Sequence, residues 1–351
     1  MKIDLLKSAA LALVLPALAP AAWAEVPDVA VTAVTESAAL PGDADDPAIW
    51  VNPDNPEASL VLGTDKDFGL HFFDLSGQSV AYFEDGRINN VDLREFQLGG
   101  ETVWLASGTE RENEEILFYV IHRDGRVERA SPHAFPGIPD HPDEIKKIYG
   151  HAMARDPETG LVWALANFKT GHIAQYEVLD VDGQIKLELA RVLKVPSQPE
   201  GMIADDKMGH LYVGEEDAAI WRFPLLPGAG DTGVVVATVP SPCFPTDDIE
   251  GLSLYDGEAA RYLVASSQGI HRAAIFALDG EETPVCRGLV EIAAGVVDGV
   301  TETDGLAVTS ANLGPDFSEG MLVMMDDQNA DFTSNFKFIS FADIKSALNL
   351  D

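Results

Sequence analysis

Six carboxylates crowd one short stretch, EGMIADDKMGHLYVGEED, which runs from Glu200 to Asp217. They are Glu200, Asp205, Asp206, Glu215, Glu216 and Asp217, against the single lysine Lys207. HLYVG (210–214) alternates apolar and polar residues between turn signals, so the acids fall at strand ends. Acid-led openings recur along the chain: Asp46-Pro-Ala-Ile-Trp, Asp92-Leu, Glu200-Gly-Met-Ile, Glu250-Gly-Leu-Ser-Leu and Asp304-Gly-Leu-Ala-Val, with Tyr149-Gly-His-Ala-Met among them. Any one Asp-Gly or Glu-Gly reads as the start of a turn. Five acids in one register read as a metal site. Gathered carboxylates raise one another's pKa unless a cation neutralises them, and calcium accepts about six to eight such oxygens in flexible geometry.

A second asymmetry accompanies the first. The strands after these openings are SLVLGTDK, VWLASGTER, LVWALANFK, HLYVGEED, YLVASSQG and MLVMMDDQ. The first three end in Lys66, Arg111 and Lys169. The others end in Glu215, Glu216 and Asp217, in Ser266, Ser267 and Gln268, and in Asp326 and Asp327. One side of a shared mouth would be basic and the other acidic. That suits a multiply charged anion, held partly by Lys and Arg and partly through bridging metal.

For these ends to meet, the chain must bring them round an axis. The openings are 46, 57, 51, 50 and 54 residues apart. Each unit holds a short apolar strand, a second strand ending in small or polar residues, and a third carrying aromatics, as in GLHFFDL, EILFYVI, HIAQYEV, AIWRF and AAIFAL. Six units of this size predict an all-β chain folded as one six-bladed β-propeller. In that architecture the first strand of every blade lines the central channel. The one helical candidate is the C-terminal FADIKSALNL.

Bulk properties set the surroundings. Residues 1–24 carry Lys2 and Lys7, an apolar run and the small-x-small site Ala22-Trp23-Ala24, which predicts a secretory leader. The domain is then 25–351, exported to the periplasm or the medium, with no segment approaching a membrane span. The chain of 351 residues has 58 Asp plus Glu against 23 Lys plus Arg, for a net charge of −35. Such a charge argues against nucleic acid or anionic lipid as partner and suits divalent cations. Cys243 and Cys286 are free to pair in an oxidising compartment, and the spacing leaves that open. There is no G-x-S-x-G elbow, no G-x-x-x-x-G-K-[ST] loop and no H-E-x-x-H pair.

These residues carry a resemblance to the β-propeller phytases, the calcium-dependent alkaline 3-phytase family. The matching stretches are DDPAIWVNP (45–53), GTDKDFGL (63–70), INNVDLR (88–94), SQPEGMIADD (197–206), LYVGEEDAAIW (211–221), DIEGLSLY (248–255), LVASSQG (263–269), DGVTETDGLAV (298–308) and LGPDF (313–317). The resemblance implies a phosphomonoesterase that takes phytate (myo-inositol hexakisphosphate) as its calcium complex, acts as a monomer, and has a cleavage subsite beside an affinity subsite. It places phosphate contacts on Lys66, Arg111, Tyr149 and Lys169. It places active-site calcium on Asp45, Glu200, Glu216, Glu250 and Asp304, with Glu216, Glu200, Glu250 and Asp304 as the catalytic carboxylates. It places a structural calcium on Asp46 and Asp298 with the carbonyls of Pro47 and Val91. Thr170 and Glu302 depart from the family, which often has an acid at the first position and Asp at the second. Two other readings use the same acidic mouth: a different calcium-dependent propeller hydrolase (lactonase or phosphodiesterase), and a non-catalytic calcium-stabilised binding module.

Overall fold

The computed structural model describes residues 25–130, 133–134, 147–278, 283–329 and 331–351. The expected leader, 1–24, lies outside them. Six sheets follow one another along the chain, antiparallel but for one edge strand. Their innermost strands are Ala44–Trp50, Ile88–Leu98, Ile148–Arg155, Pro199–Asp205, Ile249–Asp256 and Leu306–Thr309, in blades 1 to 6. Each innermost strand packs against the next, and that of blade 6 against that of blade 1, so the ring closes. The expected propeller is observed.

Apolar residues on both faces of each strand hold the blades together. Leu60 and Leu62 face blade 2, whereas Val61, between them, faces blade 6. Side chains alternate across a strand, so a strand sandwiched between two blades needs apolar residues at successive positions. This is why SLVLG and LVWALA read as continuous runs. Six apolar clusters result, one for each pair of neighbouring blades.

The N-terminal segment completes the last two blades. Asp28–Thr32 runs parallel to Val285–Ala293 at the edge of blade 5. Thr35–Glu36 then pairs with Asn335–Ser340 as the outer strand of blade 6. The C-terminal helix forms over Phe341–Leu348, as its pattern predicts, and buries Phe341, Ile344 and Leu348. Cys243 and Cys286 are joined as a disulfide, with 6.2 Å between their Cα atoms.

One irregularity repeats around the ring. In blades 1 to 5 the innermost strand slips register against its neighbour at the same place: Ala44/Pro47, Ile88/Val91, Ile148/His151, Pro199/Met202 and Ile249/Leu252. Such bulges re-aim side chains. In blades 3 to 6 the second residue of the bulge position is glycine. A Cβ at Gly201 would lie 2.0 Å from the carbonyl oxygen of Glu250, and one at Gly305 would lie 2.4 Å from the Cα of Asp46. Each bulge is thus pressed against its neighbour, and the Glu-Gly and Asp-Gly pairs mark that contact. Gly201→Ala is expected to destabilise the fold by about 3 kcal/mol and to lower Tm by about 5 °C. An unchanged Tm by calorimetry would contradict this close approach.

Candidate active site

The bulges carry the site. Their first residues are Asp45, Asn89, Tyr149, Glu200, Glu250 and, at the matching position before the blade 6 strand, Asp304. This corrects the ring read from the openings. In blade 1 the ring member is Asp45, and Asp46 takes the place held by glycine in blades 3 to 6. In blade 2 it is Asn89. Asp92 stands beyond the bulge, paired with Ser107 in the ladder. Its carboxylate accepts from the Met153 amide and from Arg94, and so ties blade 2 to blade 3.

Glu200 and Glu250 are buried, and with Glu216 they bring three carboxylate oxygens within 4.8 Å of one another. Burial, then repulsion from Glu200, pushes the Glu250 carboxyl well above the usual range. Burial drives Glu216 up to about 7, with Gln198 opposing by donating to both of its oxygens at 2.6 and 2.8 Å. Asn89 donates to Glu200 Oε1 at 2.7 Å. On the other side, Asp304 Oδ2 lies 2.6 Å from the Lys66 ammonium, with Asp43 at 3.4 Å and Asp45 at 3.9 Å. Burial raises Asp45 and Asp304, and Lys66 partly offsets both.

The buried oxygens Asp45 Oδ2 and Glu250 Oε2 have no hydrogen-bond partner among the described residues. Unpartnered anionic oxygens beside three converging carboxylates fit a hard divalent cation, and burying them uncompensated would be costly. Asp45, Glu200, Glu216, Glu250 and Asp304 are the residues present to hold it.

The basic residues take up the other half of the mouth. Lys66, Arg111, Lys169, Glu216, Gln268 and Asp327 each follow directly on the end of their blade's second strand. Lys169 Nζ sits 3.8 Å above the centre of the Tyr149 ring, and the Arg111 guanidinium carbon lies 6.0 Å from it. Burial, then the nearby Glu200 and Glu250 carboxylates, raises the Tyr149 pKa. Tyr149 therefore stands at the seam between the basic arc and the acids.

Of the remaining acids in EGMIADDKMGHLYVGEED, Asp217 is exposed and the other three are structural. Glu215 accepts from the Ser197 amide and hydroxyl and from Trp221. Asp65, Glu110 and Asp326 likewise accept amides from loops leading into their own blades. Asp205 pairs with Arg261 and Asp206 with Arg94. The acidic end of blade 6 is thus divided, because Asp326 faces inward and ties its own loop.

The expected structural calcium set does not assemble. Asp46, Pro47 and Val91 line the channel together, and Asp46 Oδ2 accepts the Val91 amide at 3.0 Å. Asp298 stands elsewhere, against Lys337 at the outer part of blade 6. Four polar residues at the mouth, Asp248, Gln198, Asn89 and Arg87, have no role in the sequence pattern, and Gln268 figures there only as a strand end. Asp248 bonds Glu250 and carries a strained φ of 86°. Gln198, Gln268 and Asn89 hold the acids, Gln268 at 2.5 Å from Asp304 Oδ1. Arg87 donates to the Lys66 carbonyl, and its own carbonyl accepts the Arg111 amide. The NN at 89–90 and the SQ at 197–198 and 267–268 are the signal that could have found the three amides.

Comparison with known proteins agrees with this geometry. The 3-phytase of Bacillus subtilis (strain 168) is 38% identical over 334 residues, covering 91% of this chain and 85% of that one. A highly reducing polyketide synthase of Penicillium crustosum, xilA, is 29% identical over 100 residues, 28% of this chain and 4% of the synthase. A family model described as Phytase matches residues 2–351. With the model spanning nearly the whole chain, the protein belongs to the phytase family.

Proposed function

We propose that this chain hydrolyses phosphomonoester bonds of phytate with calcium held in the acidic half of the mouth, releasing inorganic phosphate and lower inositol phosphates. The observation that carries the reading is the division of one rim into a basic arc and a carboxylate cluster, with Tyr149 between them. A polyphosphorylated ring needs both halves. Lys66, Arg111 and Lys169 would hold phosphate oxygens, and the carboxylates would hold the cation that shields a second negative group. The relative from Bacillus, named a 3-phytase, supports the substrate class.

Phosphate esters resist attack because nucleophile and substrate are both negative. Calcium on Asp45, Glu200, Glu216, Glu250 and Asp304 would supply charge neutralisation and a water of lowered pKa. The chain's own groups would do the rest. Lys66, Arg111 and Lys169 stabilise charge on the equatorial oxygens of the transferring group. The Tyr149 hydroxyl donates to an oxygen of the bound phosphate. Glu216 orients the attacking water or assists its deprotonation. Among the described residues no side chain in the mouth is set up as a nucleophile, so the reaction runs without a covalent enzyme intermediate. The site draws on all six blades of one chain, which supports a monomer. The disulfide supports an exported location, where thiols oxidise.

Two outcomes test the reading. Glu200→Gln, Glu250→Gln and Asp304→Asn should each lower kcat on phytate about 100-fold and raise the calcium concentration for half-maximal rate. Unchanged calcium dependence in all three removes them from the metal site. The second outcome concerns pH. Glu216 keeps its proton to about pH 7 in the fold, against about 4.3 in an unfolded chain. Its stabilising contribution is present below the unfolded value and is lost as pH rises through the folded one. Asp45, Glu250 and Asp304 shift in the same direction. In EDTA, Tm should therefore fall between about pH 5 and pH 8. Calcium, which binds the ionised form, should remove that fall. A Tm in EDTA that rises over this range contradicts the proposal.

A further inference from the structure

A bulge sets two residues against one on the neighbouring strand. In blades 1 to 5 that one residue is Thr64, Thr109, Asn167, Gly214 and Ser266 in turn. Thr64, Thr109, Asn167 and Ser266 are fully buried, at 0% exposure, and a buried polar side chain needs a partner. Thr64 finds one in its own blade, on the Asp46 amide and carbonyl. The other three reach into the next blade. The Thr109 hydroxyl donates to the Tyr149 carbonyl, Asn167 Nδ2 to the Glu200 carbonyl at 2.6 Å, and the Ser266 hydroxyl to the Thr303 carbonyl at 2.5 Å, one residue before Asp304.

Asn167 makes a second bond. Its Oδ1 accepts the Gly150 amide at 2.7 Å. One side chain thus ties the main chain just after Tyr149 to the main chain of Glu200, across the boundary of blades 3 and 4. A Cβ on Gly150 would lie 2.1 Å from the Glu200 carbonyl oxygen and 2.5 Å from Asn167 Nδ2, so the three groups are in direct contact. The Glu200 carboxylate is held separately, by Asn89. We propose that Asn167 is a positioning residue for the reaction: it sets Tyr149, on the phosphate side of the mouth, at a fixed spacing from Glu200, on the cation side. It acts through those two main chains and touches neither phosphate nor cation. An error of about 1 Å in such a spacing costs about 100-fold in rate. The kinetic consequence rests on the proposed phosphate hydrolysis, whereas the consequence for cation binding at Glu200 does not.

The test compares the full chain with Asn167→Val and Asn167→Thr, which share one shape and differ by a hydroxyl. Thr64 shows that a threonine at this position accepts an amide and donates to a carbonyl at once, and Thr109 that it reaches the next blade. Arg191→Met is the control. Arg191 holds the Pro224 and Leu225 carbonyls across the same boundary, and Pro224 pairs with His210, at the end of the strand remote from Glu215. Two quantities are measured: kcat on phytate in saturating calcium, and the calcium Kd of the mouth by titration calorimetry, taken as the binding that Glu250→Gln removes. Asn167→Val should lose about 100-fold in kcat and bind calcium at the mouth about 10-fold more weakly. Asn167→Thr should recover most of both. Arg191→Met should lower Tm and change neither. A folded Asn167→Val with the parent's kcat and calcium Kd overturns the proposal, and so does an Asn167→Thr no better than Asn167→Val. The same two losses in Arg191→Met also overturn it, because the role would then be one of general stability. If Asn167→Val does not fold, Asn167→Ala carries the same expectations. A parent that binds calcium at the mouth without releasing phosphate from phytate counts against the proposed function alone, and the calcium Kd still decides the positioning role.

Discussion

Contact between neighbouring bulges sets the rest of the site. Six inner strands converge on one axis, and at the bulge each main chain presses on the next. The Gly251 amide donates to the Asp304 carbonyl at 3.0 Å, and the Gly305 amide to the Asp45 carbonyl at 3.0 Å. In blades 3 to 6 that approach leaves no room for a Cβ at the second bulge position, and it turns the first residue of each bulge toward a common mouth. Wherever this first residue is acidic, its charge is forced close to others of the same sign. Burial and repulsion then drive Asp45, Glu250 and Asp304 toward the protonated form. A bound cation would relieve what the packing imposes.

Both halves of the mouth follow from where the blades differ. The same position, one residue beyond the second strand, holds Lys66, Arg111 and Lys169 in blades 1 to 3 and Glu216, Gln268 and Asp327 in blades 4 to 6. The preceding acid in blades 1, 2, 4 and 6 ties a loop to the blade. One carboxylate serves the fold and its successor serves the mouth, which is why GEED looks overcharged in the sequence. Lys66 works in both settings. It neutralises Asp304 and sits near Asp45, so on the proposed function an arriving phosphate and an arriving cation would each meet a partly compensated partner.

Much of this is legible in the amino-acid sequence. Six units of about fifty residues, the apolar runs and the C-terminal helix follow from periodicity, and Tyr149, Glu200, Glu250 and Asp304 fall on their bulges. Blade 2 departs from the pattern. Its ring member is a neutral asparagine, Asn89, and the nearest acid, Asp92, lies three residues on and ties two blades together. No local pattern separates those roles, because the bulge is defined by pairing with the next strand. The pairing of Lys337 is not legible either. Its partner Glu36 is 301 residues away, and only pairing of the two chain ends brings them together. Likewise the disulfide requires positions in blade 5 and the loop before it that spacing alone does not supply.

The central claim is that the carboxylate cluster works only as a cation site, and that the basic arc opposite it receives phosphate. Phosphate release from phytate by the purified protein, measured with calcium and again after EDTA with Tm followed in parallel, tests it most directly. The account predicts release with calcium, none after EDTA while the protein is still folded, and full recovery when calcium is returned. Equal release in EDTA, or no release in either condition from a protein that calcium stabilises, would contradict it.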